Sequence, residues 1–523
     1  MSLVLLAYAG AGFALKAFTD FSLNDDGIYS SVMESVRTGH FIFPPNTDAI
    51  CFTHLGWGAL FCWLEGPSYV ALHHSGLACA MICLALIYYF ACKLGISRAP
   101  SALITASIAF NPIFFMLGFS YMTDVPYLTL MLAAAYLMLV TDCTAKVKGS
   151  IGLTLCSIGA TLTRQCGLLI PASALAVEAL RSKFAIRRMA LAAIPFVVSF
   201  LTLMLLERWV MDAQHGLPVK FVPLFALMGA KKHHVAVPLA QALGRLAKVP
   251  FYLGFYLLPV GVSLFASYFQ KNKARFWSIA VCAIAATVVC TLCYKPMPLC
   301  GSVFTIHGLG PYSVPAQIPS LPEWLLVALT VLCAVSGLVF LLEATDWIRR
   351  FKFKELQQSP AANVFLFLGI QSAIYTVSLI TYAKFFDRYL LPLAVPCIML
   401  VAFATARGLK IDWRPAWAVL AALVCLTGYS AFNYYSFNTA YWQLFRSALA
   451  RGLDGKRIDG NYESAYLYCW TRDKVDTAPS TWCTDPQAII TSSGQPAGPY
   501  IHASSVEFAR AFQSPGKIWL LEK

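Results

Sequence analysis

The chain has 523 residues, of which 59% are hydrophobic and only 12% charged, with a formal net charge of +14 and a mean hydropathy of +0.65. Soluble domains carry about 25% charged residues, so a soluble enzyme is excluded, and 14% aromatics exclude a disordered chain. A polytopic membrane protein remains, in which positive charge speaks first to loop orientation and not to nucleic acid.

A spanning helix needs about 20 apolar residues. Apolar runs occur at 2–18, 69–92, 99–119, 124–142, 189–208, 249–270, 276–294, 322–343, 362–382, 386–405 and 415–434. The first is read as a span, because a signal peptide would start with basic residues. The stretch 19–68 is a first outer loop, with an amphipathic helix expected over 27–38. Residues 149–180 are apolar except at Thr163-Arg164-Gln165, which predicts a pair of short or partly re-entrant helices. Short basic turns at 93–98, 146–148, 181–188, 271–275, 349–354 and 407–414 put the N-terminus in the cytoplasm and predict about twelve crossings of the plasma (inner) membrane. The segments 19–68, 209–248, 295–321 and 435–523 then lie outside.

Beyond 434 the transmembrane pattern stops. Turn chemistry at Asp459-Gly460-Asn461 and Pro496-Ala497-Gly498-Pro499, between short runs such as 487–491 and Ile518-Trp519-Leu520-Leu521, predicts a small α/β or β-rich exterior domain over 435–523. Most of the 17 cysteines fall in apolar runs, among them Cys79, Cys83, Cys92, Cys282, Cys290 and Cys293. Cys469 and Cys483 fall in the exterior domain, where they form either a disulfide or two free thiols.

No phosphate-binding glycine loop, zinc spacing or serine elbow occurs, so the candidates are charges at outer helix ends, which are costly there without a function. Asn24-Asp25-Asp26-Gly27-Ile28-Tyr29 supplies two adjacent acids, with helix capping by Asp26 as the structural alternative. Thr123-Asp124-Val125-Pro126 places a carboxylate at a helix start, where capping and chemistry are compatible. Arg164 needs an anion, either a phosphate, which suits its fork, or Asp124 or Asp25. Lys384 and Arg388 lie four apart, a repulsive helix spacing unless an anion or Asp387 relieves it; snorkelling to headgroups is the other reading. Acids with cations suit a reaction in which a hydroxyl is deprotonated while a phosphate leaves.

These motifs carry a resemblance. Asp25-Asp26-x-x-Tyr29 with Gly39-His40-Phe41 and Pro44, Thr123-Asp124-Val125-Pro126, Leu162-Thr163-Arg164-x-x-Gly167-Leu168-Leu169-x-Pro171 and Arg388-Tyr389-x-x-Pro392 occur in the order and at the topological positions of GT-C glycosyltransferases. The chain resembles the aminoarabinose transferase and protein O-mannosyltransferase type, glycosyltransferase family 39-like. Arg457-Ile458-Asp459-Gly460-Asn461-Tyr462-Glu463 is similar to a segment that follows the last helix in some members.

The resemblance implies an all-α GT-C membrane catalytic domain over 1–434. It implies inverting transfer of a sugar from a polyprenyl-phosphate donor to a lipid, glycan or protein acceptor at the outer face. Asp25 would be the base, with Asp26 and Asp124 beside it; Arg164, Lys384, Arg388 and Tyr389 would bind the donor phosphate, and Tyr29 and His54 would contact substrate. Asp26 stands where relatives have Glu, and Thr53-His54-Leu55 stands where lipid A-modifying relatives have Lys-Pro, so a lipid A acceptor is not supported. No cofactor is required, although Mg²⁺ or Mn²⁺ at Asp25 and Asp124 suits the ligand chemistry. The expected partners are the polyprenyl-phosphate sugar and membrane lipids, without nucleic acid. The alternative is a secondary transporter of a small solute or envelope lipid; against it stand the outer position of the acids, a single expected broken helix pair and no two-fold repeat.

Overall fold

The computed structural model describes residues 1–37, 43, 47, 49–141, 147–213, 237–293, 301–310, 320–352, 354–382, 384–460, 464, 468, 486–491 and 500–523. Helix α1 (Ser2–Ala14) leads into the first loop, which holds α2 (Asp26–Arg37) and α3 (Phe52–Glu65), and α4 (Tyr69–Lys93) follows. Ile28, Tyr29 and Val32 bury one face of α2, as the helical period of the amphipathic segment requires.

The apolar run 99–119 is not one helix, as expected, but α5 (Arg98–Ala109) and α6 (Pro112–Gly118), bent by 74°. Asn111 makes the break: its Oδ1 accepts from the Ile113 amide at 3.0 Å and its Nδ2 donates to the Phe255 carbonyl at 3.0 Å, while Pro112 starts the new helix. Then come α7 (Asp124–Val140), α8 (Val147–Thr163), a 3-10 turn (Gln165–Leu168), α9 (Leu169–Ser182) and α10 (Ile186–Ala213). The expected break at Thr163-Arg164-Gln165 is therefore present. Gly167 lets the turn fold back on α8, because a Cβ there would lie 2.2 Å from the Ala160 carbonyl carbon.

The run 249–270 is also broken where a continuous span was expected: α11 (Leu239–Tyr256) and α12 (Leu258–Lys271) meet at 93°, with Pro259 opening the second. Helix α13 (Lys273–Cys293) follows, then a two-residue-strand hairpin of β1 (Phe304–Thr305) and β2 (Gly308–Leu309), α14 (Glu323–Arg350), α15 (Glu355–Gln358) and α16 (Pro360–Thr381). A 3-10 turn (Asp387–Leu393) runs into α17 (Ala394–Ala406), and α18 (Arg414–Ala450) is the last helix.

The protein is thus a mostly helical membrane protein. Among the described residues, seven helical units are long and apolar enough to cross a bilayer, or up to nine if each bent pair is one span. Two shorter apolar helices, α1 and α7, stand beside them. The segment Asp387–Ala406 is the most enclosed span, 78% buried, against 22% for α10 and α13.

The last helix runs past 434 to Ala450. The fall in hydropathy there marks where the helix leaves the apolar layer, not where it ends. Beyond it, β3 (Ile458–Asp459), β4 (Ala488–Thr491), β5 (Ile501–Arg510) and β6 (Gln513–Glu522) form a sheet of order β3-β4-β6-β5, parallel between β3 and β4 and antiparallel elsewhere. The sheet packs on the far end of α18, with Phe508 5.5 Å edge-on to Phe437. Gly39, His40, Phe41, Pro44, the cluster Lys231-Lys232-His233-His234, Asn461, Tyr462, Glu463, Cys469 and Cys483 lie outside the described residues.

Candidate active site

Four of the charges singled out in the sequence meet at one end of the helices. Asp124 is the first residue of α7, where the helix dipole favours a carboxylate. Arg164, in extended conformation after α8, points Nη1 to Asp124 Oδ1 at 3.0 Å and donates from Nε to Thr123 Oγ1 at 3.0 Å. Arg388, from the 3-10 turn, donates from Nη2 to Asp25 Oδ2 and brings Nε to 3.9 Å from Asp124 Oδ2. The Tyr389 ring stands against both cations, 4.9 Å from the Arg164 guanidinium and 5.4 Å from that of Arg388.

The cluster balances two carboxylates with two guanidinium groups, yet its hydrogen bonding is incomplete. Both Asp124 oxygens and Arg388 Nε and Nη1 are buried without a hydrogen-bond partner. Charge proximity is present and alignment is not, so these atoms keep capacity for a ligand.

Asp387 does not relieve Arg388 as the spacing suggested. Its buried carboxylate accepts from the backbone amides of Ser302 (3.1 Å), Val303 (3.0 Å) and Phe304 (2.7 Å) and from the Arg388 amide (2.8 Å). It therefore moors the β1–β2 hairpin to the 3-10 turn and leaves the Arg388 side chain to Asp25 and Asp124. The repulsive helix spacing of Lys384 and Arg388 also does not arise, because α16 ends at Thr381 and the 3-10 turn begins at Asp387. Lys384 is half-buried between them.

Asp26 faces elsewhere than its neighbour. Fully buried, it accepts from the Leu23 amide at 2.6 Å, from the Tyr121 amide at 3.5 Å and from His73 Nε2 at 3.0 Å. It closes the turn before α2 rather than capping the amides ahead, as the structural alternative had it. Burial raises the Asp26 carboxyl above its ordinary pKa, against the pull of His73 and the two amides. Asp26 thus ties the turn that carries Asp25 to α4 and to the turn that carries Asp124.

Tyr29 and His54 lie in the same wall, with rings 5.8 Å apart and perpendicular. Burial holds the Tyr29 hydroxyl well above the usual phenol range. His54 stacks on Tyr121 at 3.9 Å, and burial pushes it down to about 3, so the titrating role the sequence suggested for it is not available near neutral pH. The sequence reading missed His73, Tyr121 and the moor at Asp387. A histidine inside the apolar run 69–92 was the available signal for His73.

A second charged group lies at the opposite end of α17. Arg407 donates to Glu343, which is fully buried, and to Asp346 at 2.9 Å; Arg275 donates to Asp346 at 2.9 and 3.3 Å; the Tyr268 hydroxyl donates to Glu343. Two of the basic turns read as cytoplasmic therefore spend an arginine on buried acids.

No family model matches the chain, and no curated protein matches it. Among solved structures, it is similar to the crystal structure of ArnT from Cupriavidus metallidurans in the apo state (TM-score 0.45, 11% identity) and to that of the same protein bound to undecaprenyl phosphate (TM-score 0.46, 12% identity). Each comparison covers 99% of this chain and 97% of the other.

Proposed function

We propose that the protein is a GT-C-type membrane glycosyltransferase that moves a sugar from a polyprenyl-phosphate donor to a lipid, glycan or protein hydroxyl at the outer face of the plasma membrane, with inversion. The observation that carries this reading is the convergence of Asp25, Asp124, Arg164 and Arg388, with Asp25 and Arg388 363 positions apart, into a buried cluster with hydrogen-bonding capacity left over. A chain with 12% charged residues has little structural reason to assemble it.

In the reaction, the acceptor oxygen forms a bond to the anomeric carbon as the bond from that carbon to the phosphate oxygen breaks. The hydroxyl proton passes to Asp25, and the lipid phosphate leaves with its charge held by Arg164 and Arg388. Asp124 orients Arg164, Tyr389 backs both cations, and Lys384 adds positive charge at the same turn. Arg388 engages Asp25 before a donor arrives. A phosphate that draws Arg388 to itself releases Asp25 to take the proton, so the base becomes competent as the donor seats.

The steps as written use side chains alone, and Asp25 and Asp124 each face a guanidinium.

The test is Asp25→Asn in bilayer nanodiscs with labelled polyprenyl-phosphate sugars. Turnover falls by roughly 100-fold to 10,000-fold, the range for loss of a general base, while donor-lipid binding persists. Wild-type turnover in the variant overturns the assignment of the base. Solute flux without sugar transfer by the wild type, for any donor offered, overturns the enzyme reading in favour of transport.

A further inference from the structure

The β5–β6 hairpin turns through Ala511 and Phe512, between the paired Arg510 and Gln513. Phe512 has φ +59°, in the left-handed region that hairpin turns normally fill with glycine or asparagine, and it is 97% exposed. A turn needing only its backbone has no use for a phenylalanine there.

The tip lies against the last helix. The Ala511 amide donates to Asn433 Oδ1 at 2.9 Å, and the Phe512 ring runs parallel to that of Tyr429 at 6.5 Å and 4°. With a rise of about 1.5 Å per residue, Tyr429 stands roughly 22 Å and Asn433 roughly 28 Å along α18 from its first residue, Arg414. Both fall within the ~30 Å of hydrocarbon that the helix crosses. Nearby on the same helix, Val424 is 38% and Phe432 37% exposed, so α18 turns apolar side chains outward at this depth.

We infer that the hairpin tip is inserted into the outer leaflet, with the Phe512 ring among lipid acyl chains. Its exposure is then exposure to lipid, and the apolar ring offsets the strained backbone that presents it. The flanking residues fit this depth: Arg510, whose Nε donates to the Ser514 carbonyl at 2.6 Å, lies where a guanidinium reaches headgroups. The exterior sheet is thereby held to the bilayer at the tip as well as through α18. This inference does not depend on the proposed reaction.

The test places the photo-crosslinking residue p-benzoylphenylalanine at position 512 (Phe512→Bpa) in the full-length protein, in nanodiscs of labelled phosphatidylglycerol and phosphatidylcholine. The control position is Ile501, also exposed, at the far end of the same hairpin. Illumination gives lipid adducts at 512 and severalfold fewer at 501. Absence of lipid adducts at 512, or equal yields at the two positions, overturns the inference. A second variant, Phe512→Asn, suits the turn's backbone and removes the ring. It raises hydrogen exchange at residues 510–513 severalfold in nanodiscs, and unchanged exchange there overturns the anchor.

Discussion

The span Asp387–Ala406 carries a charged cluster at each end, and the two are built on different terms. At the Arg407 end all four oxygens of Glu343 and Asp346 accept hydrogen bonds from Arg407, Arg275 or Tyr268. At the Arg388 end both oxygens of Asp124 and two nitrogens of Arg388 have no hydrogen-bond partner. Buried ion pairs whose acids are satisfied internally clamp helices together, here α12, α13, α14 and α17. A buried cluster left partly unsatisfied is costly to keep and marks a place where something else binds. The presence of buried charge is common to both, and so is an arginine Nε without a hydrogen-bond partner, Arg407 in one and Arg388 in the other; the bonding of the acids separates them.

The sharpest way to break this contrast is to remove the central cation of the Asp25–Asp124 cluster. Arg388→Ala leaves Asp25 and Asp124 without it, and loss of charged hydrogen bonds predicts about 100-fold weaker binding of the polyprenyl phosphate proposed as donor carrier, read by native mass spectrometry in lipid. Unchanged affinity would reduce Arg388 to a headgroup anchor. Next, His73→Phe removes the support of Asp26. It lowers kcat by about tenfold through a displaced Asp25, with KM for the donor nearly unchanged, and His73→Gln restores most of the rate. An equal loss in both variants means that His73 is there only for packing.

The Glu343–Asp346 cluster has the opposite signature. Glu343→Gln uncouples the buried Arg407 and destabilises the protein by about 3 kcal/mol, seen as a lower melting temperature, while turnover per folded molecule stays within a factor of two. A specific loss of kcat there would dissolve the distinction between the two ends.

A further test is acid sensitivity. His54 has a folded-state pKa of about 3 against an ordinary 6.5, so its contribution to stability is complete above pH 6.5 and is lost as pH falls towards 3. The folding equilibrium drops by about tenfold per pH unit in that window. His54→Gln should show a shallower fall in melting temperature between pH 6.5 and pH 4.

Asp25, Asp124, Arg164 and Arg388 were legible in the sequence because charge at the end of an apolar run stands out. Their neighbours were not. Asp26 and Asp25 are chemically alike, and only distant partners tell them apart: His73, 47 positions from Asp26, and Arg388, 363 positions from Asp25. Asp387 sits beside Arg388 in sequence, but its partners are amides 83 to 85 positions distant. The bends after Ala109 and Tyr256 were hidden because hydropathy runs straight through them; Asn111 and Pro259 signal a break only once the tertiary partners of the freed backbone groups are known.

Helix α18 has 37 residues, a rod of about 55 Å at 1.5 Å per residue. A rod of that length is a lever: a tilt of about 5° at Arg414 sweeps its far end through roughly 5 Å. The C-terminal sheet resting on that end cannot swing independently of the helical core without bending the helix. A chimaera that exchanges exterior portions should therefore be joined beyond Ala450, since a splice at 434 would sever the lever in mid-shaft.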